Sequence, residues 1–327
     1  MEDRLLYLTR DDVAAIDLPM AAIIEAVHSA FREKGAGRVE MPPKPGVHPG
    51  PRELDNFIHA MPAYLPALGA VGVKWVSGYP GNAARGLPYI NGLIILNDPE
   101  TGVPNAVMDC TWITAMRTAA ASAVSARYLA RQDSAILGVL GCGVQGRSHV
   151  DALTIALPGI RRVVAFDVDP LRAQKFAAEM EKRHGIEVRA VLEPREAVRG
   201  ADVVVTAGPI LRVPHATIQA GWLEPGTFAS AVDFDSYFDG AALHECAKFT
   251  TDDAAQLLHF RGLGYFQHIP AIYAELADLV AGELPGRQSA DERTMAVNLG
   301  LALEDIAVAP LVYARAREVG AGQWLQL

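Results

Sequence analysis

The chain has 327 residues, half of them hydrophobic and a fifth charged, a balance that fits a globular protein and excludes a disordered one. A formal net charge of −9, with basic residues scattered among acids, argues against a nucleic-acid partner, since neutralising phosphates needs clustered Lys and Arg. The length exceeds one ordinary core and points to two domains. Cys110, Cys142 and Cys246 have neither disulfide-like nor metal-like spacing, and the start Met1-Glu2-Asp3-Arg4 lacks the basic, apolar character of a secretory leader. A cytoplasmic protein with no bound metal is expected. No apolar run approaches the roughly 18 residues of a membrane span, so no membrane partner is expected.

Along the chain, residues 5–8 read as a short strand. Asp17 is expected to cap a helix that has Pro19 in its first turn and reaches about Lys34, because Ile23, Val27, Ala30 and Phe31 recur at helical spacing. Residues 41–51, rich in Pro and Gly, cannot be helical. Strands follow at 56–61, 70–77 and 92–96, and the last turns at Asn97–Gly102 into another at 104–109. The Ala-rich stretch from about Thr114 to Ala130 predicts a helix packed on both sides. From Ser134 onward, short apolar strands at 135–140, 162–166, 187–191, 202–206, 227–232 and 247–250 alternate with helices at 144–157, 170–184 and 194–199. That alternation predicts an α/β fold, a Rossmann-type doubly wound parallel sheet. Two helices, 268–281 and 294–319, are expected to close the chain, separated by Pro285-Gly286.

The stretch Gly141-Cys-Gly143-Val144-Gln145-Gly146 places G-x-G-x-x-G directly after an apolar strand and before a helix. Gly141 allows the tight turn, Gly143 leaves the pyrophosphate room, and Gly146 lets helix and strand approach. The helix N-terminus offers free N–H groups and the positive end of its dipole to the phosphates. The next strand ends in Asp167, placed to accept from both ribose hydroxyls and to repel a 2′-phosphate. NAD(H) is therefore favoured over NADP(H), a preference tempered by the nearby Arg147 and Arg172. Val144, Gln145, Thr206 and Ala207 complete the cofactor-binding set read here.

Together with that loop, Gly72-Val73-Lys74-Trp75, the segment Gly92–Gly102, the run Thr114-Ala-Met-Arg117-Thr118 and the closing stretch Asn298–Asp305 resemble the ornithine cyclodeaminase/μ-crystallin family over essentially the whole chain. The resemblance implies a homodimer. It assigns residues 1–117 and 303–327 to a mixed α/β substrate-binding and dimerisation domain, and 118–302 to the NAD-binding Rossmann domain. It further implies chemistry at the C–N bond of a small amino acid, an imine or an oxo acid by hydride transfer. The alternatives are an ornithine-cyclodeaminase-type loss of ammonia with bound NAD, or a non-catalytic NAD(P)H-regulated binding protein like μ-crystallin.

On the matching positions, Lys74 corresponds to the family's substrate-binding lysine and Arg117 to its carboxylate-binding arginine. Thr118 falls beside the nicotinamide, and Asp235 falls at the catalytic aspartate. Lys44 stands where many relatives carry a second arginine. The residue chemistry agrees: a guanidinium fork suits a carboxylate, and a partly buried lysine can polarise an imine. Lys74 could be a solvated strand residue, and any of Asp233, Asp235 and Asp239 could only cap the following helix. Where true ornithine cyclodeaminases carry a glutamate before Met-Pro, this chain has His59 before Ala60-Met61-Pro62, either a core histidine or a group assisting proton transfer. The segment after Asp235 also departs from the family's usual Pro-Gly-Lys pattern. Both departures argue against ornithine as the substrate.

Overall fold

The computed structural model describes residues 4–51 and 54–327. Residues 1–3, on which the leader reading partly rests, lie outside them. The chain forms two compact units, one from residues up to Arg117 together with Leu301–Leu327, the other from Thr118–Gly300.

The first unit opens with β1 (Arg4–Leu8), α1 (Arg10–Ala15) and α2 (Met20–Gly35). The expected cap is displaced: Pro19, not Asp17, precedes the helix, and Asp17 takes a left-handed φ of 50° outside it. Proline disfavours helical backbone at the residue before it, which keeps Leu18 out of the helix, and Pro19 itself is extended with ψ 132°. Next come β2 (Gly46–Val47), β3 (Phe57–Leu65), β4 (Ala70–Gly78), β5 (Ile90–Asn97) and β6 (Pro104–Asp109). The β5–β6 hairpin forms at the expected residues, where Asp98 accepts hydrogen bonds from the backbone of Glu100 and Thr101 at 3.0 and 2.8 Å. Along β4, Ala70, Gly72, Lys74, Val76 and Gly78 turn to the buried face of the sheet, so Lys74 is an inward residue and not a solvated one.

A long helix, α3 (Thr111–Leu129), follows, and every residue from Arg117 to Ala126 is buried. Small side chains let neighbours approach from all sides, as the Ala-rich composition implies.

The second unit continues with β7 (Ile136–Leu140), α4 (Val144–Ala156), β8 (Arg162–Phe166), α5 (Pro170–His184), β9 (Glu187–Val191) and α6 (Pro194–Val198). It is completed by β10 (Val203–Thr206), β11 (Phe228–Ala231), α7 (Gly240–Leu243), β12 (Lys248–Thr251), α8 (Ala254–Gly262), β13 (Ala274–Glu275), α9 (Leu276–Ala281) and β14 (Thr294–Val297). The eight strands pair in parallel in the order β13-β12-β14-β11-β10-β7-β8-β9. Both faces are covered. Val203 and Val205 join one core with Val150 and Phe176, and Val204 joins the other with Val198 and Phe249. This is the doubly wound sheet that the alternation predicts, and its strand order reverses between β7 and β10.

The C-terminal part departs from the expected helices. The helix read at 268–281 is the short β13 followed by α9, and the one read at 294–319 divides into β14 and α10 (Ala302–Val319). Thr294-Met-Ala-Val297 is an apolar run too short for its periodicity to be told from that of the helix after it, and pairing with β11 and β12 decides it. Helix α8 has no sequence counterpart above; Asp253 caps it, accepting from Gln256 N at 2.8 Å.

Helix α10 and the last strand, β15 (Gln323–Gln326), return to the first unit. Its sheet runs β15-β1-β6-β5-β4-β3-β2, antiparallel except for the β1–β6 pair. Helix α10 packs on β3, β4 and β5. Close approach requires Gly72: a Cβ there would lie 2.3 Å from the Ile95 carbonyl oxygen and 3.2 Å from Ile306 of α10.

Candidate active site

Lys74 and Arg117 come together around one carboxylate. Lys74 Nζ lies 2.5 Å from Asp305 Oδ2, and Arg117 Nε lies 3.2 Å from Asp305 Oδ1. Arg117 Nη1 also donates to Glu304 Oε2 at 2.7 Å. Glu304 and Asp305 occupy the first turn of α10, where acids favour the helix dipole, and Glu304 also accepts from Leu301 N. All four side chains are buried. Two positive and two negative charges thus balance within the first unit, which is what makes their burial tolerable. Burial pulls the Lys74 ammonium below the usual lysine range and Arg117 adds to that, while Asp305 opposes it.

His59 projects from β3 on the same sheet face as Lys74, because Met61, two residues on, is paired in register with Lys74. It is half-buried, stacked on Phe57 with centroids 4.5 Å apart and approached edge-on by His48. A Cβ at Gly46 would collide with its ring at 2.2 Å, so that glycine gives it room. Lys44 lies in the extended segment before β2, and Pro45 next to it accepts from Ala60 N at 3.0 Å.

In the second unit, each fingerprint glycine meets a distinct steric demand. Gly141 has φ 107°, and a Cβ there would stand 2.5 Å from the Ala207 carbonyl oxygen. At Gly146 a Cβ would stand 2.3 Å from the Gly141 carbonyl oxygen, whereas at Gly143 it would meet nothing within 4 Å. The space beside Gly143, at the N-terminus of α4, suits a phosphate group. No side chain caps that helix end; Val144 is exposed, and the buried Gln145 Oε1 has no hydrogen-bond partner among the described residues.

Asp167, just past β8, accepts from Cys142 N at 2.9 Å and Asp169 N at 3.0 Å, so it braces the glycine turn. Arg172 lies 3.9 Å from it. Arg147 turns away to Glu179 and to the Cys142 and Gly143 carbonyls. Thr118 is buried at the start of the second unit's part of α3; Thr206 ends β10, and Ala207 follows it against Gly141 of the glycine turn.

Past β11 the chain reads Asp233-Phe234-Asp235, and the three acids of this region separate by role. Asp239 caps α7, accepting from Ala241 N at 2.8 Å. Asp233 is fully buried and accepts from Thr206 Oγ1 at 2.6 Å and Gly208 N at 2.8 Å. Asp235 caps nothing: it is buried, and its Oδ1 has no hydrogen-bond partner among the described residues. Burial raises its carboxyl above the ordinary range, against the opposing effect of backbone N–H groups and of His268. Between them Phe234 adopts a left-handed φ of 63°, held there by rings of Phe260, Tyr265 and Phe266 at 5.1, 5.5 and 4.8 Å.

Sequence reasoning overlooked Glu304 and Asp305 as partners of the two cations, and Asp233 as a brace. The signal for the first was present in two adjacent acids within the otherwise apolar first two-thirds of a helix, Ala302–Val312, which burial would oblige to find cations.

The glycine turn, the parallel sheet and the acid after its second strand define a Rossmann-type protein with an appended antiparallel unit. The chain belongs to the ornithine cyclodeaminase/mu-crystallin family, whose model matches residues 6–320. The resemblance drawn from its motifs is borne out. It is 35% identical to the nodulation efficiency protein NfeD of Rhizobium meliloti, over 97% of each chain. Among solved structures it is similar to the Thermococcus litoralis Delta(1)-pyrroline-2-carboxylate reductase in complex with NADH and L-proline (36% identity, 98% of this chain and 99% of that one, TM-score 0.87). It is similar as well to an archaeal alanine dehydrogenase dimer with bound NAD (34% identity, 99% of each chain, TM-score 0.87).

Proposed function

We propose that this protein is an NAD(H)-dependent oxidoreductase acting on the C–N bond of a small amino acid or its imine. The observation that carries the reading is the buried pair Lys74 and Arg117, cations suited to an α-carboxylate, in a chain whose other unit bears the glycine turn and Asp167. Relatives that bind NADH with L-proline, or NAD as alanine dehydrogenases, support it.

In this reading the first unit binds substrate and the second binds cofactor. Gly141, Gly143, Val144, Gln145 and Gly146 would receive the pyrophosphate, Asp167 would hold the adenosine ribose, and Thr118, Thr206 and Ala207 would border the nicotinamide half. The chemistry that NAD(H) would supply when bound there is hydride transfer at the substrate's α-carbon. Because Asp305 and Glu304 already balance Lys74 and Arg117, an incoming carboxylate needs further positive charge, and Lys44 is the residue assigned to supply it. Asp235, with an unsatisfied oxygen and a raised proton affinity, holds or moves the proton at the substrate nitrogen, and His59 assists. Holding the reacting carbons in line is the protein's main contribution.

The protein is read as a homodimer through the sheet face opposite Lys74. There Val73, Trp75, Leu93 and Ile95 lie in register, with Trp75 52% and Leu93 39% exposed. The three free, buried cysteines suit a reducing cytoplasm. No helix of the described residues is long and apolar enough to cross a membrane.

The test is a turnover screen following nicotinamide absorbance with cyclic imines, oxo acids plus ammonia or methylamine, and amino acids, each with NAD(H) and NADP(H). Net oxidation or reduction of NAD(H) with one of these classes is expected. Ammonia release without net change in NADH would point to a cyclodeaminase, and binding without any turnover would overturn the enzyme reading.

A further inference from the structure

The peptide joining Ala207 to Gly208, just past β10, is held on three sides. Its carbonyl oxygen rests against Gly141, in the space that a side chain there would fill at 2.5 Å. Its N–H donates to Asp233 Oδ2 at 2.8 Å, and the other oxygen of that carboxylate accepts from Thr206 Oγ1 at 2.6 Å. On the third side the Tyr237 ring covers Gly208 so closely that a Cβ there would lie 2.6 Å from it.

We propose that Asp233 is a positioning residue for the cofactor: it fixes the orientation of the Ala207–Gly208 peptide against the glycine turn. The proposal rests on the reading that the second unit binds NAD(H), and it adds a residue that does not itself touch the dinucleotide. A peptide unit turned over would remove the Ala207 carbonyl from Gly141 and leave a buried N–H without its acceptor, a loss of the size that one hydrogen bond to a charged group represents. Residues 211 and 215 donate their backbone N–H groups to Ser236 in the same segment, at 2.8 and 2.7 Å, so the loop after β10 is tied along its length and Asp233 secures the end nearest the cofactor.

Topology makes the proposal testable by ligand fragment. Asp167 follows β8 on one side of β7, and the Ala207–Gly208 peptide follows β10 on the other. A dinucleotide lying across the switch point therefore presents its adenosine half to Asp167 and its nicotinamide half toward β10.

Calorimetric titration of the full-length protein with NADH and, separately, with 5′-AMP provides the test. Asp233→Ala is expected to weaken NADH by about tenfold or more while leaving 5′-AMP within about twofold. Asp233→Asn keeps an acceptor for Gly208 and is expected to restore most of the NADH affinity. If Asp233→Ala does not fold, Asp233→Ser takes its place with the same expectations, because its hydroxyl is too short to reach both partners. Unchanged NADH affinity overturns the proposal, as does equal weakening of both ligands, which would mark a merely structural role. Failure of the wild-type protein to bind NADH is a different result and overturns the cofactor reading itself.

Discussion

Asp305 joins Lys74 to Arg117, one carboxylate oxygen to each, at 2.5 and 3.2 Å. The two cations assigned to the substrate are thus fixed in mutual position before any substrate arrives. The same arrangement makes each of them dependent on α10.

Removing one member of such a buried cluster strands the others. Asp305→Leu and Lys74→Met are each expected to destabilise the protein by about 3–5 kcal/mol in urea unfolding. The double variant, apolar at both positions, is expected to recover a large part of that loss. Additive losses would show that the two side chains do not act as a pair.

The fingerprint glycines divide into two kinds. Gly143→Ala meets no protein atom within 4 Å, so the variant is expected to melt like the wild type yet lose NADH affinity by an order of magnitude or more. Gly146→Ala places a carbon 2.3 Å from backbone and is expected to lower the melting temperature directly. Equal melting temperatures in both variants would contradict these assignments.

Burial pushes the Asp233 carboxyl up to about 7, against its hydrogen bonds from Thr206 and Gly208 and with Asp235 adding to the rise. An acid whose pKa is raised on folding stabilises the fold below its unfolded value, and that contribution is lost as pH rises through the folded value. Asp233→Asn, uncharged throughout, is therefore expected to melt higher than wild type at pH 8, with the advantage shrinking between about pH 7 and pH 4. Differential scanning fluorimetry across that range checks it, and a gain that grows toward low pH would have the wrong sign.

The dimer reading predicts that Trp75→Asp, on the face opposite Lys74, shifts the protein from dimer to monomer in sedimentation. The variant is expected to keep its secondary structure, since Trp75 is 52% exposed within one chain. A dimer that persists would place the interface elsewhere.

The cofactor half was legible because its demands are local. Gly141, Gly143 and Gly146 stand within six residues of one another, and an apolar strand and an acid flank them at fixed offsets. The cluster around Asp305 is the opposite case. Arg117 and Glu304 are 187 positions apart, and only the packing of α10 on the sheet brings them together. The resemblance singled out the cations, but nothing in their own surroundings named the acids that neutralise them. Asp235 could be separated from Asp233 and Asp239 only once their hydrogen bonds were seen. Strand β14 was hidden by an apolar run that continues toward a helix of the same character.

Gly72 carries no functional group, yet it governs one. The missing side chain is a notch in β4 that lets Ile306 of α10 settle against the sheet, and Ile306 directly follows Asp305. A single methyl group at position 72 would meet the Ile95 carbonyl of β5 at 2.3 Å and Ile306 of α10 at 3.2 Å, so it would disturb the strand pairing two residues from Lys74 as well as the seat of the helix that carries Asp305. Charge balance at Lys74 is therefore set by sheet geometry as much as by the charged residues, and the tolerance of this site to change extends to a position that touches no ligand.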